Sequence, residues 1–456
     1  MKRRITILVA MIVLMLASSK PAAAQQRYVV VSTGGLSSVL NLCSLLGCQV
    51  QGNLDGQVGQ TFLVKSLNPL STVLNLVESL LGIVSIEADH LLAVPHTPLP
   101  SIPAGLYDKW PVQYYDTVAW HGYVAQPAAQ IIRLQDAQNG FRISGTGTIA
   151  VIDTGVDPNH PVLYPELLQG YDFTRNQPGA SEWLDVTGLQ SGYTDTGIQN
   201  QQPGYVQQST AAVLDQSTAA VLDGSPYVAF GHGTMTAGLV HLVAPEANIL
   251  PLKAFSANGT GYLANIIAAL YYAVQHDANV VNMSFDLSSS SSALSRAVSY
   301  ANKAGVVLVA SAGNENTSAR VYPAAFSGQV VGVASTTDWD KRSSFSNYGS
   351  YDVWIAAPGE YVISTYPGGT YASSSGTSFS SPLVAGAVDL LLHAKSGLNQ
   401  ASAASALSHA QVLTPDLNHG RLDVYQAVSA WVNSYSSGSS STTTTSGSTS
   451  CFLLCL

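Results

Sequence analysis

The sequence predicts an α/β fold with a mostly parallel sheet, preceded by a small α+β unit, and three observations carry that prediction. Short β-branched runs alternate with longer helical patterns between about residues 107 and 433, an N-terminal stretch follows its own strand and helix order, and a proline-rich connector separates the two. The runs are TIAVID (148–153), NILPLKAF (248–255), ANVVNMS (278–284), VVLVAS (306–311) and QVVGVAS (329–335). Between them lie helical patterns such as GYLANIIAALYYAVQHD (261–277) and SSALSRAVSYANKAG (291–305). Strand, helix and strand in succession require crossover connections, and hence a parallel sheet covered on both faces. In such sheets functional residues collect at the carboxyl ends of the strands, and Asp153 closes the first run.

The N-terminal stretch reads RYVVVST, LSSVLNLCSLLG, TFLVKS, LSTVLNLVESLLG and IVSIEADHLLAV within residues 26–94. That order is a two-layer α+β unit, and Pro95, Pro98, Pro100 and Pro103 place a boundary after it. The units are therefore 25–97 and 98–433. Ahead of them, Lys2-Arg3-Arg4, the apolar run Ile5 to Leu16 and the small residues Ala22-Ala23-Ala24 form a secretory signal peptide over 1–24. A membrane anchor would need about 20 apolar residues, and Ser18, Ser19, Lys20 and Pro21 interrupt too soon. Residues 434–456 are a flexible Ser/Thr-rich tail ending in CFLLCL. A polar insertion at 175–230 carries QSTAAVLD twice in tandem, at 208–215 and 216–223, which reads as a surface-loop expansion.

A chain of 456 residues, 46% hydrophobic and 10% charged, can bury a large core. Its net charge of -9, with no basic cluster beyond residues 2–4, excludes a nucleic-acid partner. The four cysteines fall in two close pairs, Cys43 with Cys48 and Cys451 with Cys455. Export permits a local bridge in each, although spacing alone does not establish one. Neither pair has a second Cys or His pair nearby at metal-ligand spacing.

The chemistry turns on Asp153-Thr154-Gly155 and its repeat Asp195-Thr196-Gly197. An aspartic-protease dyad needs two carboxylates about 3 Å apart on matching rigid loops, whereas Asp195 sits in the polar insertion without flanking apolar strands. The other reading makes Asp153 the acid of a Ser/His/Asp triad, and its partners are present. FGHGTMTAGLVHLVAP places His232 between glycines at the start of a helical pattern, and SSSGTSFSSPLVAGAVDLLLHA places Ser378 at the start of another. A serine at a helix N-terminus lies beside backbone N–H groups able to bind a developing oxyanion. Flanking glycines are expected to let substrate backbone come close, and Pro382 to fall in the first helical turn or just after it.

With these segments the chain resembles the subtilases, the subtilisin-like serine proteases. The order Asp, His, Ser matches that group, and the matching segments are VIDTGVDPNHP (151–161), GHGTMTAG (231–238), NMSFD (282–286), SAGNEN (311–316), YPA (322–324), FSNYG (345–349), APG (357–359) and GTSFSSPLVAG (376–386). The resemblance implies a subtilisin-like three-layer domain. It implies Ser378 as nucleophile, His232 as general base and acid, Asp153 as its orienting carboxylate, and Asn314 in the oxyanion hole. It also implies substrate binding by strand addition along Gly259, Gly261 and their neighbours on one side and Ser284, Phe285 and Asp286 on the other, with Ser311, Ala312 and Gly313 beside them. Asp157 and His160 belong to a matched segment but stay outside the catalytic set. The N-terminal unit resembles an inhibitory propeptide, an intramolecular partner removed by self-cleavage within about 94–112. The partners implied are protein or peptide substrates and this propeptide, the location extracellular, cell-surface or periplasmic, with no membrane span in the mature form.

Three departures stand out. No calcium loop follows the His232 helix, because AGLVHLVAPEANI runs straight into the next strand. No cofactor is required, and calcium at Asp185 and Asp195 is left open with no ligand pattern visible. Met235 and Thr236 replace the usual His-Val and are expected to alter packing more than chemistry. Asp286 stands where many members have glycine; it either favours a basic or polar side chain before the scissile bond or points to solvent and leaves an apolar pocket. From another class, a catalytically silent or permanently inhibited subtilase-fold binding module is the alternative.

Overall fold

A computed structural model of the chain describes residues 26–67, 82–93, 103–186, 204–205, 227 and 229–434, with 204–205 described by backbone alone. The expectations for the signal peptide, the second N-terminal helical pattern up to residue 81, most of the proline connector, the duplicated octapeptide, Asp195 and the tail with Cys451 and Cys455 fall outside these residues.

The N-terminal unit consists of β1 (Gln26–Ser32), α1 (Gly35–Leu46), β2 (Gln49–Asn53), β3 (Thr61–Ser66), β4 (Ile83–Ala88) and β5 (Leu91–Ala93). Its antiparallel sheet runs β2-β3-β1-β4, with Val30 opposite Phe62 on one side and Ile86 on the other. Period-2 alternation splits β1. Tyr28 and Val30 face Val39, Leu42 and Leu46 of α1, whereas Val29 and Val31 face the larger unit. Cys43 and Cys48 form a disulfide at the end of α1.

The larger unit is built on an eight-stranded sheet. Its strands are β6 (Thr148–Asp153), β7 (Tyr171–Asp172), β8 (Gln177–Pro178), β9 (Asn248–Lys253), β11 (Val280–Met283), β12 (Val307–Ser311), β13 (Val331–Thr336) and β14 (Ile355–Pro358), while β10 (Thr260–Tyr262) lies outside it. The order is β8-β7-β9-β6-β11-β12-β13-β14, parallel except for the β8 edge. Its helices include α2 (His232–Val243), α3 (Leu263–Gln275), α4 (Ser292–Lys303) and α5 (Thr377–Ala394). Ile149 and Val151 of β6 pack into one core with α2 and α5, and Ala150 and Ile152 into a second with α3 and α4. A strand buried on both faces reads as a continuous apolar run, and that is why TIAVID was visible as a strand. The arrangement is the three-layer α/β domain expected, and β6, β11 and β12 end side by side around Asp153, Ser284 and Asn314.

The two units meet along three lines. β5 pairs antiparallel with β10, Leu92 opposite Gly261. Glu87 Oε1 accepts from Ala293 N (2.7 Å) and Ser291 Oγ (3.0 Å) at the start of α4, and Asp89 Oδ1 accepts from Ala264 N (2.8 Å) at the start of α3. Both carboxylates thus satisfy N–H groups that a helix leaves open and sit at the positive end of its dipole. Arg27 Nε holds the other Asp89 oxygen at 2.6 Å while its guanidinium lies over the Tyr262 ring.

Candidate active site

Asp153 ends β6, and its carboxylate is fixed from three directions. Oδ1 accepts from Thr154 N (2.7 Å) and stands 2.5 Å from His232 Nδ1, while Oδ2 accepts from Thr236 Oγ1 (3.1 Å). Thr236 was expected to alter packing more than chemistry; it sits one turn beyond His232, where the helical repeat aims it at the same carboxylate. Met235, by contrast, is a core residue.

His232 opens α2. The preceding Gly231 has φ 88° and lies so close to Tyr366 that a Cβ would be 2.1 Å from its ring. A Cβ on Gly233 would be 1.9 Å from Gly155 O. These glycines therefore admit the protein's own chain, where the sequence reading expected them to admit substrate. Two N–H groups at the start of α2 are taken by a residue the sequence reading missed, while Gly233 N donates to Thr154 Oγ1 (2.9 Å). Glu182, fully buried, accepts from Thr234 N (2.7 Å) and Thr234 Oγ1 (2.6 Å) through Oε1 and from Gly231 N through Oε2. Burial pushes its carboxyl up to about 8, against the pull of these donors and of Lys253.

Lys253, at the end of β9, is also fully buried and donates to Thr154 O (2.6 Å), Phe255 O (2.8 Å) and Asp185 Oδ2 (2.7 Å). Asp185 accepts further from Ala257 N (2.6 Å) and Arg175 Nη2 (2.5 Å). Its carboxylate is thus engaged by two cations and a backbone N–H. Glu182 and Asp185, early in the 175–230 insertion, are thus tied into the structure behind the triad candidates, and Ala180 O accepts from Val156 N in the loop that follows Asp153. Asp157 and His160 have structural partners: Asp157 Oδ2 accepts from Gly368 N (2.8 Å), and His160 Nε2 lies 2.9 Å from Thr370 O.

Ser378 is the second residue of α5. Pro382 lies one turn further in, just past the first turn of the helix, and has no N–H for the carbonyl four residues back. That carbonyl is Ser378 O, and it accepts from Ser284 Oγ instead (2.9 Å). The Ser378 hydroxyl rests 3.4 Å from Ser284 O. It is not bonded to His232, whose Nε2 is buried without a partner. Asn314, just past β12, accepts from Thr377 N and Thr377 Oγ1 (both 2.9 Å) through Oδ1, which fixes its amide. The Nδ2 group is then left buried and unpartnered. A buried donor without an acceptor is rare and calls for an explanation.

The remaining predicted residues lie around these. Gly261 pairs with β5, and a Cβ there would be 2.6 Å from Ala254 O, so only glycine fits; Gly259 has φ 80°. Phe285, Ser311 and Ala312 are wholly buried, Phe285 against Phe255, so only their main chain can face a cleft. Gly313 N accepts no such burden and donates to Thr377 Oγ1 (3.2 Å). Among the described residues no group of three or more His, Cys, Asp and Glu surrounds a common centre, and no helix is long and apolar enough to cross a membrane.

The sequence model of the subtilase family, peptidase S8, matches residues 145–440. This chain belongs to the subtilase family. Thermitase of Thermoactinomyces vulgaris is 34% identical to it over 270 residues, 57% of this chain and 80% of that protein. A thermophilic serine proteinase of Bacillus sp. (strain AK1) is 34% identical over 288 residues, 61% of each chain. A solved cold adapted subtilisin-like serine proteinase is similar at 30% identity and a TM-score of 0.48, over 61% of this chain and 89% of that one. The family carries the enzyme class with it: this subtilase is a serine endopeptidase.

Proposed function

We propose that this subtilase is an exported, self-processing zymogen that cleaves peptide bonds with Ser378, His232 and Asp153 through an acyl-enzyme. The observation that carries the reading is the pair of buried, unpartnered nitrogens flanking Ser378, His232 Nε2 and Asn314 Nδ2. Asn314 Nδ2 lacks the acceptor that a substrate carbonyl would bring, and His232 Nε2 lacks the Ser378 hydroxyl, which rests on Ser284 O. When a carbonyl enters beside Asn314, the Ser378 hydroxyl turns from Ser284 O to His232 Nε2, gives up its proton there and attacks the carbon. Asp153, 2.5 Å from Nδ1, keeps that nitrogen protonated and stabilises the imidazolium. The oxyanion then receives the Asn314 amide and N–H groups at the start of α5. His232 passes the proton to the leaving amine, and water repeats the sequence to free the acid.

The N-terminal unit is the inhibitory propeptide in this reading. Supporting it, β5 uses the β10 edge by the strand addition expected of substrate, and Glu87 and Asp89 anchor it to α4 and α3. Its firm seating also favours a second reading, a permanently inhibited binding module. The test is to express the chain from residue 25 onward with and without Ser378→Ala and to follow intact mass and the new N-terminus. Loss of the N-terminal unit in the unaltered protein alone supports the zymogen. If both stay full length and casein survives, the inhibited module replaces it.

A further inference from the structure

The Asp153 carboxylate is held unevenly. Oδ1 takes Thr154 N (2.7 Å) and faces His232 Nδ1 (2.5 Å), whereas among the described residues Oδ2 has a single donor, Thr236 Oγ1 at 3.1 Å. Both residues are buried, which keeps water from standing in for that donor. The Thr236 hydroxyl has a second neighbour, Gly233 O at 3.0 Å, and one proton to give. Gly233 O is already served, because inside α2 it faces the N–H four residues further on. The carboxylate oxygen has no other donor, and leaving such a group unpaired is the costlier choice, so the proton belongs to Oδ2.

We propose that Thr236 is a positioning residue for the reaction, one that keeps His232 able to take the Ser378 proton at lower pH than it could beside the valine usual at this place. The hydroxyl fixes Oδ2 and draws negative charge away from the carboxylate. Less charge then faces Nδ1, so the imidazolium forms less readily in the resting enzyme and His232 stays a base further into the acid range. The other charged groups around the pair come from several elements. Glu182 sits on Gly231 N and Thr234 N, and Lys253 on Thr154 O with Asp185 and Arg175 behind it. Asp157 and His160 lie in the loop after β6, Asp157 N donating to Thr234 Oγ1 (2.9 Å), and Asp286 lies past the end of β11. α5 places the Ser378 hydroxyl and the Phe379 ring near the imidazole, the ring centroids 5.4 Å apart. Exchanging the Thr236 hydroxyl for a methyl leaves all of these in place. The inference rests on the triad reading above and adds a pH range to it.

The full chain and its Thr236→Val and Thr236→Ser forms are each allowed to process, counted by titration with a serine-directed phosphonate, and assayed on one peptide from pH 4.5 to 8.5. The expected result in Thr236→Val is an acid-side midpoint of kcat/KM higher by about half a pH unit, or about threefold less activity at a fixed pH on that limb, the part of one hydrogen bond's worth that reaches the histidine. Thr236→Ser, which keeps the hydroxyl and loses the methyl, holds the parent's midpoint. Because the midpoint is read per active site, a partly folded variant does not distort it. A midpoint unmoved in Thr236→Val, with Tm lowered, gives the proton to Gly233 O and overturns the proposal, as does an equal shift in Thr236→Ser. Either result leaves the triad standing. A parent chain that neither reacts with the phosphonate nor cuts the peptide overturns the triad reading, and the role of Thr236 with it.

Discussion

Replacing Asp286 by asparagine should stabilise the protein at alkaline pH and not at acid pH. Burial first, and Glu315 second, move the carboxyl from 3.8 to about 7. The fold therefore prefers the neutral acid, the reverse of a salt-bridged carboxylate. Below the unfolded value both states are protonated and nothing is lost; between about 4 and 7 the folded state resists ionisation; above 7 the penalty is complete. A displacement of about three pH units, at about 1.36 kcal/mol each, gives roughly 4 kcal/mol at pH 8. Asparagine has no such titration. Its amide brings an unpaired donor of its own, but that offset does not change with pH. With both proteins in a Ser378→Ala background, which prevents self-digestion, thermal unfolding is followed from pH 4.5 to 8.5. About 1 kcal/mol of this is already present at pH 4.5, so at roughly 2 °C per kcal/mol for a large domain the Tm difference between Asp286→Asn and the parent should open by about 6 °C across that range. A difference that stays constant with pH refutes the reasoning, because it means that Asp286 is hydrated and carries no strain worth relieving.

Asn314→Ala removes the amide that Thr377 holds in place and should lower kcat by about 100- to 1000-fold with KM little changed; steady-state kinetics showing a change mainly in KM would assign Asn314 to ground-state binding instead. Glu182→Gln leaves one acceptor oxygen for donors that now use two, and an unpaired buried N–H costs about 1–3 kcal/mol. The expected outcome is a lower Tm together with a lower kcat, and an unchanged kcat would detach the α2 clamp from the chemistry. Asp89→Asn weakens the α3 cap and its Arg27 pair by about 1 kcal/mol, or about fivefold in the hold on the N-terminal unit. The lag before the full chain becomes active should shorten, and an unaltered lag in a continuous peptide assay contradicts the zymogen reading.

What the sequence reveals here depends on whether a residue's partners lie close along the chain. β6, β9, β11, β12 and β13 are legible because strands covered on both faces must be apolar throughout. β2, reading QVQGN, is half exposed at a sheet edge and gives no such signal. The run IVSIEADHLLAV looked like a single strand, but Asp89 turns aside to reach Ala264 and Arg27, and β4 and β5 part there. At the site, Asp153, His232, Ser378 and Asn314 each sit in a segment whose flanks identify them. Glu182 and Lys253 do not: one looks like an ordinary acid in a polar stretch, the other like an ordinary base ending a strand. Their importance comes from burial against residues 52 and 99 positions away, which no local pattern records. Thr236 was read as packing for the same reason, since its link to Asp153 spans 83 positions.

The two-sided packing of β1 bears on how the zymogen reading would end. Val29 and Val31 share a core with α3 and α4, and burying such a side chain is worth about 1.5–3 kcal/mol. Once the N-terminal unit departs, that layer opens on both partners. The detached unit presents wet valines on a sheet that has lost its backing, and it drifts beside a peptidase that has just been freed. In that reading, unfolding and digestion of the fragment would be expected to outrun its return. Under the zymogen reading, activation would work as a ratchet, with an inhibitor spent in the act of letting go.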